Sequence, residues 1–179
     1  MNRAVFLDRD GVLNDVILRE GKPYPPASLA ELRVSQGAPE ALARLKAAGF
    51  LLIVVTNQPD VGRGTQSRES VEEIHRALAR ALPIDEFLVC WHDGREPCNC
   101  RKPKPGMVLD AAARHHIALG RSFLIGDRWR DVECGHSAGV RTVWIDRGYA
   151  ERGPVQPPAF RCASITEAVD WIGQNLQLD

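Results

Sequence analysis

Short apolar runs alternating with amphipathic helical patterns along the 179 residues predict an α/β fold, a Rossmann-like parallel sheet with helices on both faces. Two further observations support it. Polar residues able to do chemistry follow three of the apolar runs, and a glycine stands just past three of the helical patterns.

The first strand is expected over residues 4–7, where Ala4, Val5, Phe6 and Leu7 run directly into Asp8 and Asp10. A helix over 38–48 stops before Gly49, and a strand over 51–55 ends on Thr56 and Asn57. The helix expected over 67–82 has its apolar stripe in Val71, Ile74, Leu78 and Leu82, three and four residues apart. A strand over 87–91 and a helix over 107–116 follow, the latter with Gly120 beyond it. A strand over 122–125 leads to Gly126 and Asp127, a helix covers 130–138 before Gly139, and a strand covers 141–145. The last helix starts at Ser164, whose hydroxyl and the Glu167 side chain form a capping box, and it puts Ala168, Ile172 and Leu176 on one face. The Pro-rich stretches 22–26 and 153–158 read as loops. The interval 14–37 is too short for a separate cap domain, so one domain over 1–179 is expected, its site roofed only by loops.

Composition narrows the function. Hydrophobic residues make 44% and charged residues 26%, and 23 basic residues balance 23 acidic ones, so no polyanion-binding surface is indicated and no nucleic-acid partner is expected. Neither a signal-peptide core nor a run of roughly 18 apolar residues occurs, which predicts a cytoplasmic protein without a membrane partner. A monomer is expected.

In open parallel sheets ligands bind outside the carboxyl ends of the strands, so the residues following the strands converge. Asp8 and Asp10, spaced i, i+2, can share a hard cation or divide nucleophilic and proton-transfer work. Taken alone, the pair also fits a strand that stops at an Asp-rich turn. Thr56 with Asn57 alone fits a turn, and Lys102 alone fits a solvated cation. Together with Asp127 they describe a phosphoryl-transfer site with a divalent metal. Asp131 is either a partner of Lys102 or an early-helix residue favoured by the dipole.

Cys90, His92, Cys98 and Cys100 place three thiols and an imidazole around a five-residue loop. That set suits tetrahedral zinc, and with every position filled by protein the zinc would be structural. Cys100 is followed directly by Arg101 and Lys102, so the loop 90–100 should aim those cations. His75, His115, His116 and His136 read as surface or boundary residues, and Cys134 and Cys162 as buried or inert.

The ordered motifs Asp8 to Asn14, Val54-Val55-Thr56-Asn57, Lys102 in its Arg-Lys-Pro setting, and Gly126 to Asp131 resemble the haloacid dehalogenase (HAD) superfamily of phosphohydrolases. Within it the chain is similar to the zinc-carrying branch containing D-glycero-D-manno-heptose 1,7-bisphosphate phosphatases and histidinol-phosphate phosphatases. The resemblance implies a Mg2+-dependent phosphatase acting on a small phosphate ester through an aspartyl phosphate. Asp8 would be the nucleophile and Asp10 the proton carrier. Thr56 and Lys102 would bind phosphoryl oxygens, Mg2+ would be held by Asp8, Asp10 and Asp127, and Asn57, Arg101 and Arg128 would contact substrate. The run from Arg101 to Met107 points to removal of the 7-phosphate of a heptose 1,7-bisphosphate. The short zinc loop and the segment Gly64-Thr65-Gln66-Ser67 keep histidinol phosphate or another sugar phosphate as the alternative. A silent binding scaffold is the non-enzymatic one.

Overall fold

The computed structural model describes residues 1–176. Its main sheet has six parallel strands: β1 (Arg3–Leu7), β4 (Phe50–Asn57), β5 (Glu86–Cys90), β6 (Phe123–Gly126), β7 (Arg141–Ile145) and β8 (Phe160–Cys162). Their order is β5-β4-β1-β6-β7-β8, so β1 lies inside the sheet and the chain leaves it first to one side and then to the other. That reversal opens a crevice at the carboxyl end of β1, flanked by the ends of β4 and β6.

Successive side chains of a strand point to opposite faces, and β1 supplies both layers of the core. Val5 and Leu7 join one apolar cluster, Ala4 and Phe6 the other. The first is closed by α1 (Ala38–Ala47), α3 (Arg68–Ala81) and α6 (Ile165–Gln174), the second by α4 (Gly106–His115) and α5 (Trp129–Ala138). Helices therefore cover both faces, as the sequence predicts. Between β4 and α3 lies the single turn α2 (Pro59–Gly62). In α3, Val71, Ile74 and Leu78 are buried as their spacing requires, and the Ser67 hydroxyl caps the helix by accepting from the Ser70 N–H at 3.1 Å. At α6 the Ser164 hydroxyl accepts from the Glu167 N–H at 3.2 Å, while the Glu167 carboxylate reaches back to the Ala163 N–H.

The structure departs from the sequence reading in four places. Residues 22–26 are not all loop: β3 (Lys22–Tyr24) pairs antiparallel with β2 (Ile17–Arg19), and Glu20 and Gly21, both at positive φ, make the tight turn between them. Pro23 is tolerated because a two-stranded ribbon has a free edge on each strand. Helix α4 closes on His116 at φ 51°, leaving Gly120 in a 3₁₀ turn, whereas Gly49 and Gly139 do take positive φ past α1 and α5. Strand β8 was not expected, being only three residues long behind a Pro-rich loop. His75 is buried against the first core layer, not a surface or boundary residue, because its ring stacks on Phe87.

Among the described residues no helix is long and apolar enough to cross a membrane. Ile74, fully buried on α3, tests the packing: Ile74→Ala should cost about 2–5 kcal/mol, read as a lower urea midpoint with unchanged slope.

Candidate active site

The ends of β1 and β6 bring Asp8, Asp127 and Asp131 together, all buried, with a carboxylate oxygen of each within 4.8 Å of the others. Asp8 follows β1, and its Oδ1 accepts from the N–H of Arg9 at 2.8 Å. Lys102, 2% exposed, lies between two of the carboxylates, with Nζ 2.9 Å from Asp8 Oδ1 and 2.5 Å from Asp131 Oδ1. Both contacts of Asp8 fall on Oδ1, which leaves Oδ2 free of them, and Asp8 lines a cavity.

The close fit explains the glycines here. A Cβ on Gly11, which sits at φ 82°, would lie 1.9 Å from Asp127 Oδ2, and one on Gly126 would lie 2.1 Å from Asp131 Cβ. Asp127 Oδ2 accepts from the Tyr149 hydroxyl at 2.7 Å, while its Oδ1 is buried with no hydrogen-bond partner. Asp131 is both things the sequence allowed: partner of Lys102, and N-terminal residue of α5 whose Oδ2 accepts from the Arg128 N–H at 3.1 Å.

Asp10 stands apart from that trio. Its oxygens accept from the Arg9 guanidinium at 2.9 to 3.1 Å, from Asn14 Nδ2 at 3.0 Å and from Gln58 Nε2 at 2.9 Å. The two acids of the first motif therefore feel opposite fields. Burial, then the Asp131 charge, pushes the Asp8 carboxyl up to about 7 despite Lys102. Burial also acts to raise Asp10, but Arg9 and the amides of Asn14 and Gln58 outweigh it and hold its carboxyl below the ordinary 3.8. Burial and the charges of Asp8 and Asp131 raise Asp127 well above its ordinary range.

Thr56 is buried at the end of β4, and its hydroxyl oxygen accepts from Gln58 Nε2 at 2.9 Å. Asn57 binds the main chain of Lys102 with both ends of its amide, donating to the carbonyl at 3.1 Å and accepting from the N–H at 3.0 Å. Arg101 donates to the His92 carbonyl at 2.9 Å, and Arg128 pairs with Glu151. Asp8, Asp10, Asn57, Arg101, Lys102, Asp127 and Arg128 line a cavity of about 280 Å3, while Thr56, predicted beside them, is not among its walls. The β2–β3 hairpin supplies a wall through Lys22, Pro23 and Tyr24, so the roof is not loop alone. Arg63 and Arg130 also line it. Sequence reasoning missed Gln58, Arg130 and Tyr149. The first is visible only once Asp10 is known to need neutral donors, Arg130 sits in the first turn of a helix where nothing local marks it as facing the site, and Tyr149 lies in a loop without periodicity.

Beside this cavity Cys90, His92, Cys98 and Cys100 cluster with their ligand atoms within 4.8 Å of one another. Cys90 Sγ lies 3.9 Å from Cys98 Sγ and 3.5 Å from His92 Nδ1, and Cys100 Sγ lies 3.3 Å from the same nitrogen. Burial pushes the Cys90 thiol up to about 12, so a thiolate there needs a cation beside it.

A parallel sheet whose central strand delivers an aspartate to a buried lysine and two further carboxylates defines a phosphatase of the haloacid dehalogenase kind. The HAD-hydrolase-like family model matches residues 99–170. The D-glycero-β-D-manno-heptose-1,7-bisphosphate 7-phosphatase of Helicobacter pylori is 32% identical over 96% of this chain and 97% of its own. The D-glycero-α-D-manno-heptose-1,7-bisphosphate 7-phosphatase of Mycobacterium tuberculosis is 38% identical over 88% of this chain and 85% of its own. The crystal structure of the D,D-heptose 1,7-bisphosphate phosphatase of B. bronchiseptica, complexed with magnesium and phosphate, superposes with a TM-score of 0.83 at 28% identity, covering 97% of this chain and 99% of that one. The chain belongs to the HAD phosphatases, in the family of the heptose-1,7-bisphosphate 7-phosphatases.

Lys102 is the one cation between Asp8 and Asp131, so Lys102→Met should leave two buried carboxylates uncompensated and cost about 3–5 kcal/mol near neutral pH. The sign follows from Asp8: a carboxyl whose folded value is above its ordinary 3.8 binds the proton more tightly when folded, so stability falls as pH rises from about 4 to about 7. Without the charge of Lys102, which lowers the Asp8 pKa, Asp8 keeps its proton to a pH above about 7, so the Lys102→Met deficit should be larger at pH 8 than at pH 5, measured by denaturant unfolding.

Proposed function

We propose that the protein removes the 7-phosphate of a D-glycero-D-manno-heptose 1,7-bisphosphate, with Asp8 as nucleophile and Asp10 as proton carrier. One observation carries the reading: Asp8 lines a cavity while its Oδ1 is fixed by Lys102 and a main-chain N–H, so that Oδ2 is the oxygen free of those contacts. Asp8 Oδ2 attacks phosphorus, the bond from phosphorus to the sugar oxygen breaks, and Asp10 gives that oxygen its proton. Water then attacks phosphorus, losing a proton to Asp10, and Asp8 and inorganic phosphate are released. Lys102 offsets charge on the phosphoryl oxygens, and Thr56, held by Gln58, lies behind them. Asn57 acts by fixing the main chain of Lys102, and Arg101 and Arg128 face the substrate's far end.

The buried, unpartnered Oδ1 of Asp127 suits a cation ligand. Four carboxylates, Asp8, Asp10, Asp127 and Asp131, face only two buried cations, Arg9 and Lys102, and that deficit calls for a divalent ion. Asp8, Asp127 and an oxygen of Asp10 would hold Mg2+, which supplies charge neutralisation at the phosphoryl group and keeps Asp8 ionised. Zinc fits the other cluster through three thiolates and His92 Nδ1, a closed set with a structural task. The free cysteines suit a reducing compartment such as the cytoplasm, and a site complete within one chain is compatible with a monomer.

The mouth favours a bisphosphate. Lys22, Arg101 and Arg130 line it with no ion-pair partner among the described residues, whereas Arg63 and Arg128 are paired with Asp60 and Glu151, so three cations direct their positive field at a ligand. A second phosphate relieves that field, whereas the ammonium of histidinol phosphate adds to it. Relatives named for the α and β anomers both match, so the shared chemistry at position 7 carries over.

Phosphate release from heptose 1,7-bisphosphate should exceed that from histidinol phosphate. Asp8→Asn should abolish it, and Asp10→Asn should slow it by roughly 10² to 10⁴. Faster release from histidinol phosphate would move the assignment to that substrate, and full activity in Asp8→Asn would remove the enzymatic mechanism. Metal analysis should find zinc in the purified protein, and Cys98→Ser should lower both zinc content and the unfolding temperature.

A further inference from the structure

We infer that Arg9 and His75 form a buried positioning chain that fixes the direction of the Asp10 carboxylate, making His75 a positioning residue for proton transfer to the leaving group. The inference rests on the assignment of Asp10 as proton carrier.

Arg9 lies between the two acids of the first motif and is the largest fully buried side chain of the described residues. A guanidinium taken out of water costs several kcal/mol unless paired, and here the pairing is directional. Nε and one terminal nitrogen donate to Asp10 Oδ1 at 3.1 and 2.9 Å, and the same terminal nitrogen lies 3.0 Å from Oδ2. The other terminal nitrogen is 3.1 Å from His75 Nε2. A guanidinium has donors and no acceptor, so His75 Nε2 must accept, which fixes a neutral ring protonated on Nδ1. Burial and then the Arg9 charge push that imidazole down to about 3, which agrees with the tautomer the geometry requires. The ring is held by stacking on Phe87 of β5, with centroids 4.6 Å apart and planes 20° apart. Helix α3 and strand β5 thereby set the orientation of a side chain at the end of β1.

Filling the core would not require this arrangement. An apolar residue at position 9 would fill the same volume without the desolvation cost. What Arg9 adds is a planar fork locked on one side to a carboxylate that is 18% exposed at the cavity, and on the other to a fixed acceptor. Asn14 and Gln58 also hold Asp10, but as single neutral donors they do not define the carboxylate plane.

The test is leaving-group dependence. The sugar oxygen at position 7 must be protonated as it departs, whereas p-nitrophenolate departs without a proton. His75→Phe keeps the stack but removes the acceptor. It should lower kcat on heptose 1,7-bisphosphate by about 10²-fold, the effect of a small misplacement of a reacting group, while the first-turnover burst of p-nitrophenol, which precedes the water step that Asp10 also serves, keeps nearly its full rate. His75→Gln restores an acceptor and should recover most of the loss. Should His75→Phe fail to fold, Phe87→Leu, which frees the imidazole, should show the same bias toward the poor leaving group. Equal losses in heptose bisphosphate turnover and in the p-nitrophenol burst rate, or no loss in either, overturn the positioning role. If Asp10→Asn leaves heptose bisphosphate turnover untouched, the assignment of Asp10 has failed and the chain from His75 falls with it.

Discussion

The arrangement depends on Lys102, buried between Asp8 and Asp131 at ion-pair distance from both. Asp8 cannot be ionised in a dry crevice without a counter-charge, and a lysine cannot be buried without carboxylates, so neither group is tolerable there alone. Burial would favour the neutral amine, but Asp131 and Asp8 outweigh it and raise the Lys102 pKa above its ordinary 10.5. Asp8, the cation and the first turn of α5 are thereby fixed by one set of charges.

Much of the surrounding structure serves to put that ammonium in place. Asn57, at the end of β4, binds both main-chain polar groups of Lys102. The loop from Cys90 to Cys100 delivers the chain to Arg101 and Lys102. Gly106 then opens α4 against Asn99, whose carbonyl accepts its N–H at 3.1 Å and would lie 2.2 Å from any Cβ there. The cysteine and histidine cluster thus bears on Lys102 through two residues of chain. On the other side Gly126 lets Asp131 approach β6, which a side chain at 126 would prevent.

The sheet and its covering helices were legible because their signals are local. An apolar run, a stripe at three and four residues, and a cap such as Ser67 or Ser164 each sit within a few turns of chain. The gathering of Asp8, Lys102 and Asp127 was legible because residues after parallel strands share one edge of the sheet. The hairpin of β2 and β3 was obscured by Pro23, which argues against a strand unless the free edge is known. His75 was unreadable for a similar reason: its helical spacing allows a boundary position, and only the long-range approach of Arg9 and Phe87 makes it a buried acceptor. Tyr149 reaches Asp127 from a loop 22 residues further along the chain, a separation no local pattern encodes.

The two acids of the first motif then pose an electrostatic problem. In the protein alone the proton favours Asp8, held near 7 by burial and Asp131, over Asp10, held low by Arg9 and two amides. A nucleophile must be bare and a proton donor must be loaded, so the resting order is the reverse of the order the reaction needs. The charge deficit among the four carboxylates resolves this, since added positive charge beside Asp8 and Asp127 lowers their proton affinity without touching the Arg9 contact. A phosphate ester entering beside Asp10 brings negative charge that raises its proton affinity in turn. The roles proposed for Asp8 and Asp10 are therefore set jointly by the protein and by what binds, while the protein alone fixes direction. Asp8 is aimed by Lys102, Asp10 by Arg9, and each cation is itself anchored by a partner, Asp131 or His75, that lies outside the reacting pair.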